Sequence, residues 1–382
     1  MVRYVLSASL IALALPVFAE TPATNLTTVK VSFIEALDPK DTTSSQRFQE
    51  EYERAIDTGR DLTEKQLASC GYALKTETSF YGASDPIKAK ESGEKAASNQ
   101  AWLIVGPRRS NHYVLLAKGA PETPSVSLMA SSDSLSDLGP MHISLAPSNS
   151  VMAASAAREA KRQAKGKASY VSFLASECLN CRDFAAAFDK SAETIGITKK
   201  AEVTLVGEQP DAAQLLEVIK KHKPAFVLLP NYSILSSYVV SKLAPSAPGV
   251  FFVGSDGWGD AKFGFVQNGP DISSARGFSV RGNPPVSEGL KVFDLGKRLI
   301  ATGDASKLGS SSSLAILRIF DGLEKSICRS KPKGLEAFAK DFAINGSRDF
   351  SNPWGVSIYE IRSGEMTFAR SSKIQSLGIA KQ

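Results

Sequence analysis

Short apolar runs alternate with amphipathic stretches of helical period along most of the chain. T-V-K-V-S-F-I-E-A-L (28–37) reads as a strand, and S-S-Q-R-F-Q-E-E-Y-E-R-A-I-D (44–57) as a helix after a polar loop. The strand Y-A-L-K-T-E-T-S-F (72–80) precedes a helix over 85–98 and the strand A-W-L-I-V (101–105). A G-P-R-R-S turn, a helix over 113–118 and the strand S-V-S-L-M (125–129) follow. After M-H-I-S-L-A-P the pattern restarts. Helix 149–164, strand 169–174, helix 182–195, strand 201–206 and helix 211–222 come in turn. Strand 225–229, helix 233–243 and strand 250–253 complete the series. Strands that are apolar throughout, each followed by a helix, predict parallel sheets covered on both faces. Two series predict two doubly wound α/β lobes. A long helix over 312–327, a strand over 356–361 and a G-E-M-T-F hairpin continuation lie beyond them.

Ligands of such sheets bind beyond the carboxyl ends of the strands. The turns there are G-P-R-R-S-N-H (106–112), A-S-S-D-S-L (130–135), S-E-C-L-N-C-R (176–182), P-N-Y-S (230–233) and G-S-D-G-W-G (254–259). They hold hydroxyls, amides, a ring and one acid, Asp256. Asp between glycines also suits a plain turn, because its side chain bonds nearby backbone N–H groups.

The first residues change the picture of where the protein works. Arg3 precedes an apolar run ending in Val17-Phe18-Ala19, which reads as a secretory signal peptide (1–19) cleaved near Ala19. The run is too short to span a bilayer of about 30 Å, so export as a soluble protein is expected. The remaining length suits two domains of roughly 150–200 residues. The net charge of +6 is spread along the chain, and R-E-A-K-R-Q-A-K-G-K (158–167) has the spacing of a solvated helix face. No nucleic-acid partner is expected. The three histidines and four cysteines show no zinc spacing, and no metal or other cofactor is expected. In an oxidising compartment the cysteines can pair; Cys178 and Cys181, three residues apart, are the expected disulfide. A C-x-x-C at a helix start can also exchange disulfides, which keeps a thiol oxidoreductase as an alternative. Whether Cys70 pairs with Cys328 stays open.

The order of motifs resembles the type I periplasmic solute-binding proteins, in the leucine/isoleucine/valine-binding branch of ABC transporter receptors. It rests on A-W-L-I-V-G-P-R-R-S, P-S-V-S-L-M-A-S-S, M-H-I-S-L-A-P-S-N, P-A-F-V-L-L-P-N-Y, F-F-V-G-S-D-G-W-G and S-S-L-A-I-L-R-I-F-D-G-L-E-K. The resemblance covers most of the chain beyond the leader. It implies two lobes joined by three crossovers, near Ala146–Pro147, Gly282 and Ser347–Phe350. Lobe 1 would comprise 20–146 and 282–346, and lobe 2 would comprise 147–281 and 347–382. It also implies a non-enzymatic, monomeric receptor that passes a small solute, an amino acid or small acid, to an ABC transporter permease. A sensory or adaptor module of the same fold is the other reading.

By the same resemblance, Ser110 and the stretch Ala130-Ser131-Ser132 would hold an amino acid's carboxylate. Asp256 would hold its ammonium and Tyr232 would flank it. Neutral donors can hold a carboxylate and an acid can balance an ammonium, as buried charges require. Each residue also has a plainer role: a serine caps helices, and a tyrosine packs. Two departures stand out. The turn E-A-L-D-P-K-D-T-T-S (35–44) lacks the family's glycine, and Arg108 and Arg109 occupy positions where small or polar residues are usual. Arginine offers a planar fork to anions, which makes these two candidate anion contacts; the plainer reading is that they face the surface.

Overall fold

Strands apolar on both faces need cover on both faces, and the chain provides it twice. The computed structural model describes residues 26–37, 42–166, 168–258, 271–362 and 364–372. The expected leader, and Gly259 of the glycine turn, lie outside the described residues. The first sheet is parallel, in the order β2-β1-β3-β4-β5. Its strands are β1 (Thr27–Leu37), β2 (Tyr72–Gly82), β3 (Leu103–Val105), β4 (Ser125–Ser127) and β5 (His142–Ser144). The helices α1 (Thr42–Ser69), α2 (Ile87–Ser98) and α3 (Ser110–Gly119) connect the first four. The chain then passes to α4 (Asn149–Ala164), α5 (Leu179–Thr194), α6 (Ala212–His222) and α7 (Ser233–Leu243). These alternate with β6 (Ser169–Ala175), β7 (Thr198–Leu205), β8 (Phe226–Leu228), β9 (Phe251–Gly254) and β10 (Gly277–Arg281). It returns to the first lobe for α8 (Val286–Gly289), α9 (Asp294–Ala301), α10 (Ser311–Ser330) and α11 (Leu335–Asp349). The antiparallel hairpin β11 (Val356–Arg362) and β12 (Glu365–Ser372) completes the second sheet, ordered β12-β11-β10-β9-β8-β6-β7.

Each sheet lies between two hydrophobic clusters. In lobe 1, Val29, Val31 and Phe33 pack under α1 and α10, while Ile34 and Ile104 face α2 and α3. In lobe 2, Tyr170, Phe226, Phe251 and Phe278 form a row across four adjacent strands, with ring centroids 5.2, 5.2 and 6.4 Å apart. Val171, Phe173, Val227 and Phe252 serve the opposite face. No described helix is long and apolar enough to cross a membrane.

The helix expected over 44–57 runs on through Gly59 to Ser69. Glycine costs a helix about 1 kcal/mol relative to alanine, but here it makes room. A Cβ on Gly59 would stand 2.1 Å from the Phe320 ring of α10. The apolar pattern does not announce β10, α9 or α11. The disulfide Cys70–Cys328 ties the end of α1 to α10 with Cα atoms 5.4 Å apart, and Cys178–Cys181 spans the start of α5 with Cα atoms 5.2 Å apart.

The lobes are joined by three neighbouring crossings. A Cβ on Gly282 would lie 2.7 Å from the Pro147 ring, so the first two strands of the hinge pack closely. The third passes between Trp354 and Val356, a few residues later than Ser347–Phe350. The shift arises because α11 extends to Asp349, and Phe350 and Trp354 are buried in the first lobe's core. Asn352 Nδ2 donates to the Gly282 carbonyl at 2.9 Å, and Tyr359 OH to the Asn283 carbonyl at 3.1 Å.

Candidate functional site

The turn after β9 is built to present one side chain. Gly254 lies under the Trp258 ring, 2.1 Å from where its Cβ would be, and Trp258 Nε1 donates to the Leu229 carbonyl at 2.8 Å. Ser255 Oγ accepts the Gly257 N–H at 3.1 Å and donates to the Pro230 carbonyl at 2.9 Å. Ser255 Oγ thus takes the Gly257 N–H, and Asp256 is aimed across the cleft. Its Oδ2 accepts from Ser131 Oγ of lobe 1 at 3.0 Å. Its Oδ1 is buried without a hydrogen-bond partner among the described residues. Burial pushes this carboxyl above its usual range, against the Ser131 hydroxyl, the turn amides and the Arg281 charge, which pull it down.

The serines expected to cradle a carboxylate come together, but they bond to one another. Ser110 Oγ accepts the N–H groups of Ser131 and Ser132, both at 3.2 Å. Ser132 caps the 3-10 turn Asp133–Leu138 and donates to Asp183 Oδ2 of lobe 2 at 3.4 Å. Ala130 is buried, with its N–H on Ser127 Oγ and its carbonyl under Ser144 Oγ. Tyr232 stands at the rim, 57% exposed. The buried Cys178–Cys181 disulfide lies next to Asp183 at the start of α5.

Beside this group a cavity of about 700 Å³ opens between the lobes, against the hinge. Arg108, Arg109 and Asp256 line it; Ser110, Ala130, Ser131, Ser132 and Tyr232 do not. Arg108 is not turned to the surface. Its guanidinium lies 3.9 Å from the Phe48 ring centre, and its Nε lies 3.2 Å from Glu35 Oε2. Glu35, 1% exposed at the end of β1, also accepts the backbone N–H groups of Ala36 at 2.9 Å and of Arg108 at 3.2 Å. Burial pushes the Glu35 carboxyl up, with the Arg108 charge and these N–H groups opposing.

Sequence reasoning missed the far wall. Arg281, at the end of β10, is buried with its guanidinium 4.2 Å from the Tyr359 ring centre. Tyr359, Met366 and Phe368 of the terminal hairpin line the cavity with it, and Phe48, Arg47 and Met129 line it from lobe 1. The signal available was the stretch S-V-R-G-N-P-P, an arginine leaving an apolar run at an expected crossover.

No protein-family model matches the chain, and no curated protein sequence is similar to it. Solved structures are similar to it. One is a leucine binding protein LivK from Thermotoga maritima, at 12% identity and TM-score 0.70, covering 91% of this chain and 99% of that one. A branched-chain amino acid transporter substrate binding protein LivJ from Streptococcus pneumoniae, in complex with isoleucine, aligns at 14% identity and TM-score 0.65 (90% and 100% covered). A solute binding protein of an ABC transporter from R. palustris, in complex with 4-hydroxybenzoate, aligns at 16% and TM-score 0.68 (93% and 100%). The fold is that of the type I periplasmic binding proteins, two α/β lobes joined by three crossings.

Proposed function

We propose that this protein is a non-enzymatic extracytoplasmic receptor. It closes its lobes over a small carboxylate-bearing solute, an amino acid or a related acid, and delivers it to the membrane permease of an ABC transporter. The observation that carries this reading is the interlobe cavity, whose walls come from both lobes, beside the cross-cleft bonds Ser131–Asp256 and Ser132–Asp183. A ligand shifts a two-state equilibrium only through contacts that differ between the states, and contacts to two lobes satisfy that condition on closure. Similar structures hold isoleucine and 4-hydroxybenzoate, and each of those ligands carries a carboxylate. The expected leader supports export. Disulfide exchange is the poorer reading, because Cys178 and Cys181 are 7% and 1% exposed and exchange needs an accessible sulfur.

The test is a thermal-shift screen of amino acids and small acids, followed by small-angle scattering with the best of them. A ligand at 100 times its dissociation constant adds about 2.7 kcal/mol of apparent stability. A smaller radius of gyration at saturation is the expected result. A screen without any shift, or a bound form as extended as the free one, overturns the receptor reading.

A further inference from the structure

We infer that residues 130–133 of lobe 1 form a splint along the first crossing, which holds when the lobes open and limits how far they part.

A track of bonds outlasts the first sheet. Strands β4 and β5 end side by side, with Ser127 opposite Ser144. The Leu145 N–H then donates to the Ser127 carbonyl at 2.9 Å, and Ser144 Oγ donates to the Ala130 carbonyl at 2.6 Å. Past the crossing at Ala146–Pro147, the Asn149 N–H donates to the Ser131 carbonyl at 2.7 Å. One residue on, Ser150 of lobe 2 donates twice to Asp133 Oδ2, from its N–H at 3.1 Å and from Oγ at 2.9 Å. Segment 127–133 thus accompanies segment 144–150 from one lobe into the other.

These bonds land where lobe 2 needs them. A helix begins with N–H groups that have no partner inside it, and its dipole favours an acid there. Asn149 and Ser150 open α4, the first helix of lobe 2. Ser148 Oγ, the helix's own cap, takes the Val151 N–H at 3.4 Å. Lobe 1 takes the N–H groups of Asn149 and Ser150. Asn149 is fully buried, and leaving a buried donor unpaired is costly. Parting α4 from residues 131–133 strips both groups of their acceptors.

The same segment carries bonds that opening can break. Ser131 Oγ reaches Asp256 at 3.0 Å and Ser132 Oγ reaches Asp183 at 3.4 Å. Ser150 lies three residues beyond Pro147, so the chain keeps it within about 11 Å of the pivot. No such tether holds Asp183 or Asp256. A rotation displaces a group in proportion to its distance from the pivot, so the Asp133–Ser150 bonds persist through openings that separate the serine–aspartate pairs.

The test applies hydrogen exchange and small-angle scattering to the ligand-free protein, comparing Asp133→Ala with Asp211→Ala. Asp211 is a control of the same chemistry inside lobe 2: it caps α6, accepting the N–H groups of Ala213 at 2.9 Å and Gln214 at 3.3 Å. Each variant should speed exchange in the first turn of its own helix about fivefold, the loss expected for one cap. Only Asp133→Ala should also enlarge the radius of gyration. Asp133→Asn keeps an acceptor oxygen and should fall between Asp133→Ala and the wild type in both readings, which serves if the alanine variant does not fold. Unprotected amides at Asn149 and Ser150 in the wild type overturn the inference. So does an Asp133→Ala protein no more extended than the wild type, or an equal expansion in Asp211→Ala. No ligand enters the test, so each of these failures leaves the receptor reading standing.

Discussion

Glu35 and Asp256 are both acids near the carboxyl end of a strand, one in each lobe; Asp256 lines the cavity, and Glu35 lies behind Arg108, which lines it. Glu35 lies near the end of β1 and is surrounded by its own lobe: the N–H groups of Ala36 and Arg108 and the Arg108 guanidinium all point at it. Asp256 follows β9 and accepts a side-chain hydrogen bond from the opposite lobe, through Ser131, with its Oδ1 buried and without a partner among the described residues. A buried acid served within its lobe fixes the shape of a wall. A buried acid served across the cleft depends on whether the cleft is closed. The first is architecture, the second responds to state. The lobes differ in the same sense in their disulfides, one spanning 258 positions and the other three.

The largest test of that contrast is to cut the ties. A cross-link stabilises mainly by restricting the unfolded chain, and more so for a longer loop. Replacing Cys70 and Cys328 together by serine should cost about 2–5 kcal/mol, and replacing Cys178 and Cys181 only about 1–2 kcal/mol. Urea unfolding of the two double variants measures both. Equal losses would break the picture of lobe 1 as the internally braced half.

A sharper test deletes each acid in turn. Glu35→Ala removes the acceptor for three donors of lobe 1 and should cost about 2–3 kcal/mol, at about 1–3 kcal/mol for each buried group left unpaired. The figure is held down because a third of the Arg108 side chain is exposed, and solvent screens part of the loss. Asp256→Ala frees the Ser131 hydroxyl but also removes a buried carboxyl oxygen with no partner among the described residues, and should cost less than about 1 kcal/mol in the ligand-free protein. Thermal unfolding of both decides it. A larger loss at Asp256 would make it the structural acid of the pair.

The same contrast marks what could be read from the chain. The alternation of apolar strands and helices was legible because each strand is buried on both faces and its pattern is continuous. Helices α4 and α7 begin and end where their periodicity does. The end of α1 was hidden by Gly59, whose reason is the Phe320 ring some 260 residues away. That Arg108, Arg109 and Asp256 border a cleft was legible because they sit in turns at strand ends. That Arg281, Tyr359 and Phe368 border it was not. Their facing depends on β10 and the terminal hairpin lying side by side, a tertiary fact without a local signature. Phe48 reads as an ordinary core position of α1, and nothing local says that its ring carries Arg108. Local pattern also could not show that the serines near Asp256 bond to each other rather than lie open.

The finest test is a substitution that keeps the shape of Asp256 and removes its charge. Burial raises the folded-state pKa of this carboxyl above its ordinary value of 3.8. With a raised pKa, the folded form binds the proton more tightly than the unfolded chain does. Its contribution to stability is therefore fully present below pH 3.8 and is lost as pH rises through the raised value. Asp256→Asn carries no such proton and keeps an oxygen to accept from Ser131. Relative to this variant, the wild type should lose ground as pH rises from about 3 to 7, by less than about 1 kcal/mol in all. Arg281, which opposes the shift, keeps the effect small. Melting temperatures of both ligand-free proteins across that range measure the difference. A difference that does not change with pH would mean that Asp256 meets water in the free protein. The cross-cleft bond would then be absent without ligand, and Asp256 would be buried only when the lobes close around one.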